Sequence, residues 1–127
     1  MAAADPVRHI PPTERVPGHA TPGMMREEAT ATSGLWAGIT RTTAGETSGW
    51  HHHGDYETSI YVVSGRLTMQ SGPGGSEVVE AHAGDFLYVP PEAVHREGNP
   101  GDTEALLVVV RAGSGPAVMN VDGPPPG

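Results

Sequence analysis

The sequence predicts an all-β fold of antiparallel strands, a sandwich or a barrel, on three observations. Its apolar runs are short, rich in β-branched residues and bounded by Gly, Pro or Asp. Its 127 residues include 18 glycines and 13 prolines, which penalise helix interiors and cut the chain into short pieces. The stretch "SGPGGS" (71–76) is a hairpin signal, because glycine supplies the positive φ that tight turns need. The length suits one hydrophobic core and is too short for two.

Residues 1–23 are rich in Pro, Ala and Gly without apolar periodicity and read as an N-terminal arm. "MMREEATA" (24–31) fits helix or strand. Strands are expected within "GLWAGITRTTA" (34–44), "TSIYVVSGRLTMQSG" (58–72), "SEVVEAHA" (76–83), "DFLYVP" (85–90) and "TEALLVVVRAG" (103–113). "AVMNV" (117–121) can add a short strand, giving a domain over 24–121 and a tail over 122–127. No segment repeats, and the "GPGG" glycines follow a strand without opening a helix, so they form a turn rather than a phosphate cradle.

Composition narrows the chemistry. Fifteen acidic residues against seven arginines give a formal charge of -8, which argues against nucleic acid or an anionic membrane as partner. There is no cysteine, which excludes disulfides, thiolate nucleophiles and thiolate metal sites. There is no lysine either, which removes Schiff-base catalysis. No apolar run approaches the roughly 20 residues that span a bilayer, and the first residues lack the apolar core of a signal peptide. The expected location is cytoplasmic.

The chemistry concentrates in "WHHHGDYETSIYVVSG" (50–65). In an extended strand His51 and His53 point to one face and His52 to the other. Such a pair alone also fits two hydrogen-bonded surface or core histidines. A third histidine, His95, follows a strand and a proline-stiffened turn in "GDFLYVPPEAVHREGN" (84–99). Three imidazoles in an all-β pocket suit one divalent transition metal, Fe, Mn, Ni, Cu or Zn.

At these residues the chain resembles the cupins, whose first motif reads G-x5-H-x-H-x(3 or 4)-E-x6-G. Gly45, His51, His53 and Gly65 match it. The second cupin motif reads G-x5-P-x-G-x2-H-x3-N, and Gly84, Pro90, His95 and Asn99 match it, with Glu92 where the glycine usually sits. The resemblance covers about 55 residues and implies a jelly-roll barrel, a double-stranded β-helix of antiparallel strands. It implies metal ligation by His51, His53 and His95, with a glutamate as fourth ligand.

The glutamate's place is ambiguous. Counting forward from His53 selects Glu57; counting back from Gly65 selects Thr58, a poor ligand for divalent metals. The expectation is that the Gly54-Asp55-Tyr56 turn rotates Glu57 inward as the fourth ligand. The alternative is a three-histidine site completed by water or substrate.

Tyr61, Tyr88 and Arg41 are further pocket candidates, the tyrosines through their phenols and Arg41 as a clamp for a substrate carboxylate. Plain core packing for the tyrosines and solvent exposure for Arg41 are the competing readings. Trp50 and Phe86 share the tyrosines' ambiguity, and Asp85 reads as a turn cap. The resemblance implies an enzyme acting on a small acidic or phenolic molecule in the barrel, with dioxygenase chemistry ahead of isomerase or lyase chemistry. The alternatives are a non-catalytic small-ligand or metal-binding module and a metal-free sugar-nucleotide epimerase relative. Pairing of two barrels into a homodimer is expected, with the arm reaching across.

Overall fold

Alternating burial along the long strands builds a barrel. The computed structural model describes residues 4–19, 21–116 and 118–127. Among the described residues eleven strands run in order: β1 (Val16–Pro17), β2 (Met24–Ala31), β3 (Leu35–Thr42), β4 (His51–His52), β5 (Glu57–Ser64), β6 (Arg66–Ser71), β7 (Glu77–His82), β8 (Phe86–Val89), β9 (Arg96–Gly98), β10 (Ala105–Ala112) and β11 (Met119–Asn120). They form a six-stranded sheet β1-β2-β3-β10-β5-β8, a three-stranded sheet β7-β6-β9 and the pair β11-β4. Every pairing is antiparallel. The architecture is the double-stranded β-helix, and residues 24–31 resolve as strand. Among the described residues no helix is long and apolar enough to cross a membrane.

In β5 the period of two sends Thr58, Ile60 and Val62 inward while Glu57, Ser59 and Tyr61 stay exposed. β10 answers with Leu107, Val109 and Arg111 inward, in register with Val62, Ile60 and Thr58. The apolar core joins these to Trp36, Leu67, Met69, Ala81 and Val89, and each fully buried aliphatic side chain contributes about 1.5–3 kcal/mol. Gly65 links β5 to β6 at φ 83°, and a Cβ there would lie 2.8 Å from the Ala105 Cα, so only glycine fits the turn.

Short strands near each end of the chain pair with the barrel. β1, in the arm, pairs with β2 opposite Glu27 and Glu28, and Arg15 reaches Glu27 at 3.2 Å. β11 pairs with β4 directly across from His51 and His52.

Candidate metal centre

The site begins with backbone that holds two strands together. His51 and His95 face each other as an antiparallel bridge, each N–H donating to the other's carbonyl at 2.9 Å. Beside them Ser48 N–H donates to the Glu97 carbonyl, and Ser48 Oγ accepts from the Glu97 N–H at 2.9 Å. Asn99 fastens the end of this segment: its Nδ2 donates to the carbonyls of Thr42 and Thr103, and its Oδ1 accepts from Gly101 N–H. Glu92, at the position where the second motif has glycine, adopts the left-handed conformation with φ 60°. The turn keeps the glycine geometry and ties back through Glu92 N–H to the Gly54 carbonyl at 2.8 Å.

Three imidazoles converge within this frame. The ring centroids of His51, His53 and His95 are 4.4 to 5.2 Å apart, and one ligating nitrogen from each lies within 4.8 Å of the others. His51 and His95 are fully buried and His53 nearly so. The backbone sets two of the tautomers. His51 Nδ1 lies 2.9 Å from the Gly49 carbonyl and His95 Nδ1 lies 2.8 Å from the Ala93 carbonyl. A carbonyl only accepts, so both Nδ1 atoms carry a proton, and in the neutral ring that leaves the lone pair on Nε2. Neither Nε2 has a hydrogen-bond partner.

A carboxylate missing from the sequence expectations completes the cluster. Glu97 is 2% exposed, and its Oε1 lies 3.8 Å from His51 Nε2 and 3.7 Å from His95 Nε2. At that range the interaction is coulombic rather than a hydrogen bond. Burial alone would push the Glu97 carboxyl up, but His95, His51 and Arg26 outweigh it and hold it below the usual carboxylate value. Burial, with His95 close by, pushes His51 down to about 4. At neutral pH the anionic Glu97 carboxylate therefore faces a neutral His51 ring, with His95 Nε2 at a similar distance from the same oxygen. That donor set fits a divalent cation. The signal was present in "HREG" (95–98): the same two-residue alternation that pairs His51 with His53 puts Glu97 on the face of His95.

The expected fourth ligand, Glu57, is corrected. It is exposed on the outer face of β5 and accepts the Tyr88 hydroxyl hydrogen bond at 2.8 Å. β5 is already regular at residue 57, paired with Ala112, so the turn before it does not rotate Glu57 inward and Thr58 takes the inner position. The pocket roles of Tyr61, Tyr88 and Arg41 are corrected for the same reason. Tyr61 packs on Phe86 outside the barrel, with ring centroids 4.9 Å apart, and Tyr88 is 63% exposed. Arg41 pairs with Glu27 and Glu104 on the outer surface at 3.0 and 3.5 Å. Two other arginines turn inward instead: Arg26 on β2 and Arg111 on β10, both buried. Asp85 caps its turn as expected, accepting from the His82 N–H at 2.8 Å. His52 turns away from the cluster, and its Nδ1 accepts from Gly54 N–H at 3.0 Å.

The chain matches the model of the Cupin domain over residues 38–111, more than half its length. Comparison with curated proteins returns no match. Among solved structures it is similar to KdgF from Halomonas sp., at 19% identity and a TM-score of 0.68, covering 83% of this chain and 94% of that one. The polyketide cyclase RemF from Streptomyces resistomycificus is similar at 15% identity and a TM-score of 0.73, covering 91% and 85%. A mutant of oxalate decarboxylase OxdC from Bacillus subtilis is similar at 20% identity and a TM-score of 0.72; the match covers 86% of this chain but 30% of that one. At these identities the likeness is one of fold.

Proposed function

The chain belongs to the cupin family, and from that premise we propose that it is a metal-dependent enzyme acting on a small organic molecule inside the barrel. The observation that carries this reading is the convergence of the His51 and His95 Nε2 atoms, the His53 ring and the Glu97 carboxylate in one buried cluster, with both Nδ1 atoms turned to backbone carbonyls. His51, His53 and His95 would hold the ion, with Glu97 as the carboxylate in reach. A divalent first-row ion there supplies Lewis acidity, and iron or manganese adds oxygen-activating chemistry.

The chain's own contribution is orientation and exclusion of water. The Gly49 and Ala93 carbonyls lock the His51 and His95 rings, and burial keeps His51 neutral. Dioxygenase chemistry ranks first because the donors are imidazole and carboxylate without thiolate; isomerase and lyase chemistry stay as alternatives. RemF is a cyclase and OxdC a decarboxylase, different reactions that support an enzyme without selecting one. A binding module without turnover is the second reading, favoured by the complete exclusion of His51 and His95 from solvent.

Elemental analysis of untagged protein, followed by an oxygen-consumption screen over small carboxylic acids and phenols, tests both readings. About one equivalent of metal with oxygen uptake on some substrate supports the dioxygenase. Metal without turnover in any screen favours the binding module. Under about a tenth of an equivalent, with no uptake of Mn, Fe, Ni, Cu or Zn, overturns the metal centre.

Pairing of two barrels is part of the same reading, supported by the exposed Tyr61, Phe86 and Tyr88 on the outer face of β5 and of β8, which ends the sheet. Light scattering reading a dimer that Phe86→Glu splits would support it; a monomeric unmutated protein overturns it.

A further inference from the structure

The barrel interior holds more positive charge than its own residues neutralise. Arg26 and Arg111 are 5% and 2% exposed, and among the described residues Glu97 is the one buried carboxylate. Glu97 in turn is shared with His51 and His95. Before any metal is bound, two guanidiniums and one carboxylate leave the interior with one unmatched positive charge, and a divalent ion adds two more.

The guanidiniums also have unused donors. Arg26 is anchored through Nη1 to Thr21 Oγ1 at 2.6 Å and to the His19 carbonyl at 3.1 Å, but its Nε has no partner. Arg111 lies over the Trp36 ring, its Cζ 4.5 Å from the centroid, and both its Nε and its Nη1 are unpartnered. The stack fixes the guanidinium without satisfying its N–H groups. Thr58, in register with Arg111, and Thr40, in register with Arg26, each present a buried Oγ1 without a partner. Burial and the like charge of Arg26 push Arg111 down to about 9, so it remains cationic at neutral pH. Unpaired buried guanidinium is costly, and a core built for stability alone would replace it by an apolar side chain.

We propose that Arg111, supported by Arg26 and Thr58, is the recognition site for a carboxylate of the small molecule bound in the barrel beside His51, His53 and His95. This assigns to β10 and β2 the carboxylate-clamping role that the sequence suggested for Arg41. The substrate class is then a small organic acid: its carboxylate supplies the acceptors that the guanidinium lacks, and its negative charge offsets the unmatched positive charge. The proposal rests on reading the barrel interior as the small-molecule site.

The test is calorimetric titration of metal-loaded and metal-stripped protein with malonate and with inorganic phosphate, beside melting curves in malonate and in chloride of equal ionic strength. Malonate should bind both forms and raise the melting temperature, whereas phosphate and chloride should not. Arg111→Met should weaken malonate at least about tenfold, the loss expected for a charge-assisted bond. Its metal content should stay unchanged. The proposal is overturned if metal-loaded protein binds no malonate up to about 50 mM, if phosphate binds in preference, or if Arg111→Met and Arg26→Met both keep the original affinity. If Arg111→Met does not fold, Arg26→Met and the melting curves of the unmutated protein decide. Malonate binding in protein that takes up no metal sinks the metal reading alone; a metal-loaded protein indifferent to malonate sinks this proposal alone.

Discussion

Ile60 and Thr58 are two residues apart on the inner face of β5, yet they face different neighbourhoods of the barrel interior. Ile60 sits with Val62, Leu67, Leu107 and Val109 in a fully apolar cluster. Thr58 sits in register with Arg111, and its hydroxyl has no partner. One half satisfies every rule of a stable core. The other collects His51, His53, His95, Glu97, Arg26 and Arg111 out of solvent, a set that is expensive to bury and useful only toward a ligand. The apolar half holds the strands in register and so fixes where the groups of the polar half meet.

That division predicts opposite responses to substitution. Leu107→Ala, in the apolar half, should cost about 2–5 kcal/mol of unfolding free energy and leave metal affinity in the surviving folded protein nearly unchanged. Urea melts with metal titration check this, and a large loss of affinity without a loss of stability would dissolve the comparison.

The polar half should instead show itself through pH. Folded, metal-free His51 titrates near 4, against about 6.5 in an unfolded chain. Between these values the unfolded chain binds more protons, so stability rises with pH across the window. The contribution is fully present above about 6.5 and is lost as pH falls toward 4, on the order of 3 kcal/mol in all. Urea midpoints of metal-stripped protein at pH 7.5 and 4.5 should differ accordingly, and His51→Gln should flatten the difference. Equal midpoints in the unmutated protein would remove His51 from the buried neutral state assigned to it.

A smaller effect separates the two faces of the strands at the site. Glu97→Gln should weaken metal binding by about 10 to 100-fold, the range for a group that supports a metal site directly, while Glu57→Gln should leave it unchanged. The reverse result in metal titrations would restore Glu57 as the ligand. The smallest effect concerns the turn before His95. Glu92→Gly relieves a left-handed non-glycine residue and should stabilise by about 1 kcal/mol, read as a rise in melting temperature.

The two histidine motifs, the glycine turns and the strand-length apolar runs were legible in the sequence because each is a local pattern. Alternation places His51 with His53 whatever the rest of the chain does, and Gly65 is demanded by one turn. The second motif's spacing located His95 and Asn99. Glu97 was also within reach of the alternation rule, but a lone acidic residue after a histidine looks like any solvated charge until its burial is known.

What only the tertiary structure decided is which side of each strand is inside. Glu57 and Thr58 are adjacent, so a one-residue difference in where β5 begins exchanges ligand for bystander; the pairing of Glu57 with Ala112 and of Thr58 with Arg111 settles it. Arg41, Arg26 and Arg111 are indistinguishable as residues, and barrel closure alone turns the first toward Glu27 and Glu104 and the other two inward. The sequence by itself thus determined an all-β chain with three histidines able to meet. Closure of the sheets chose the carboxylate and the guanidiniums around them, because burial is a property of the packed strands together and of no single stretch of them.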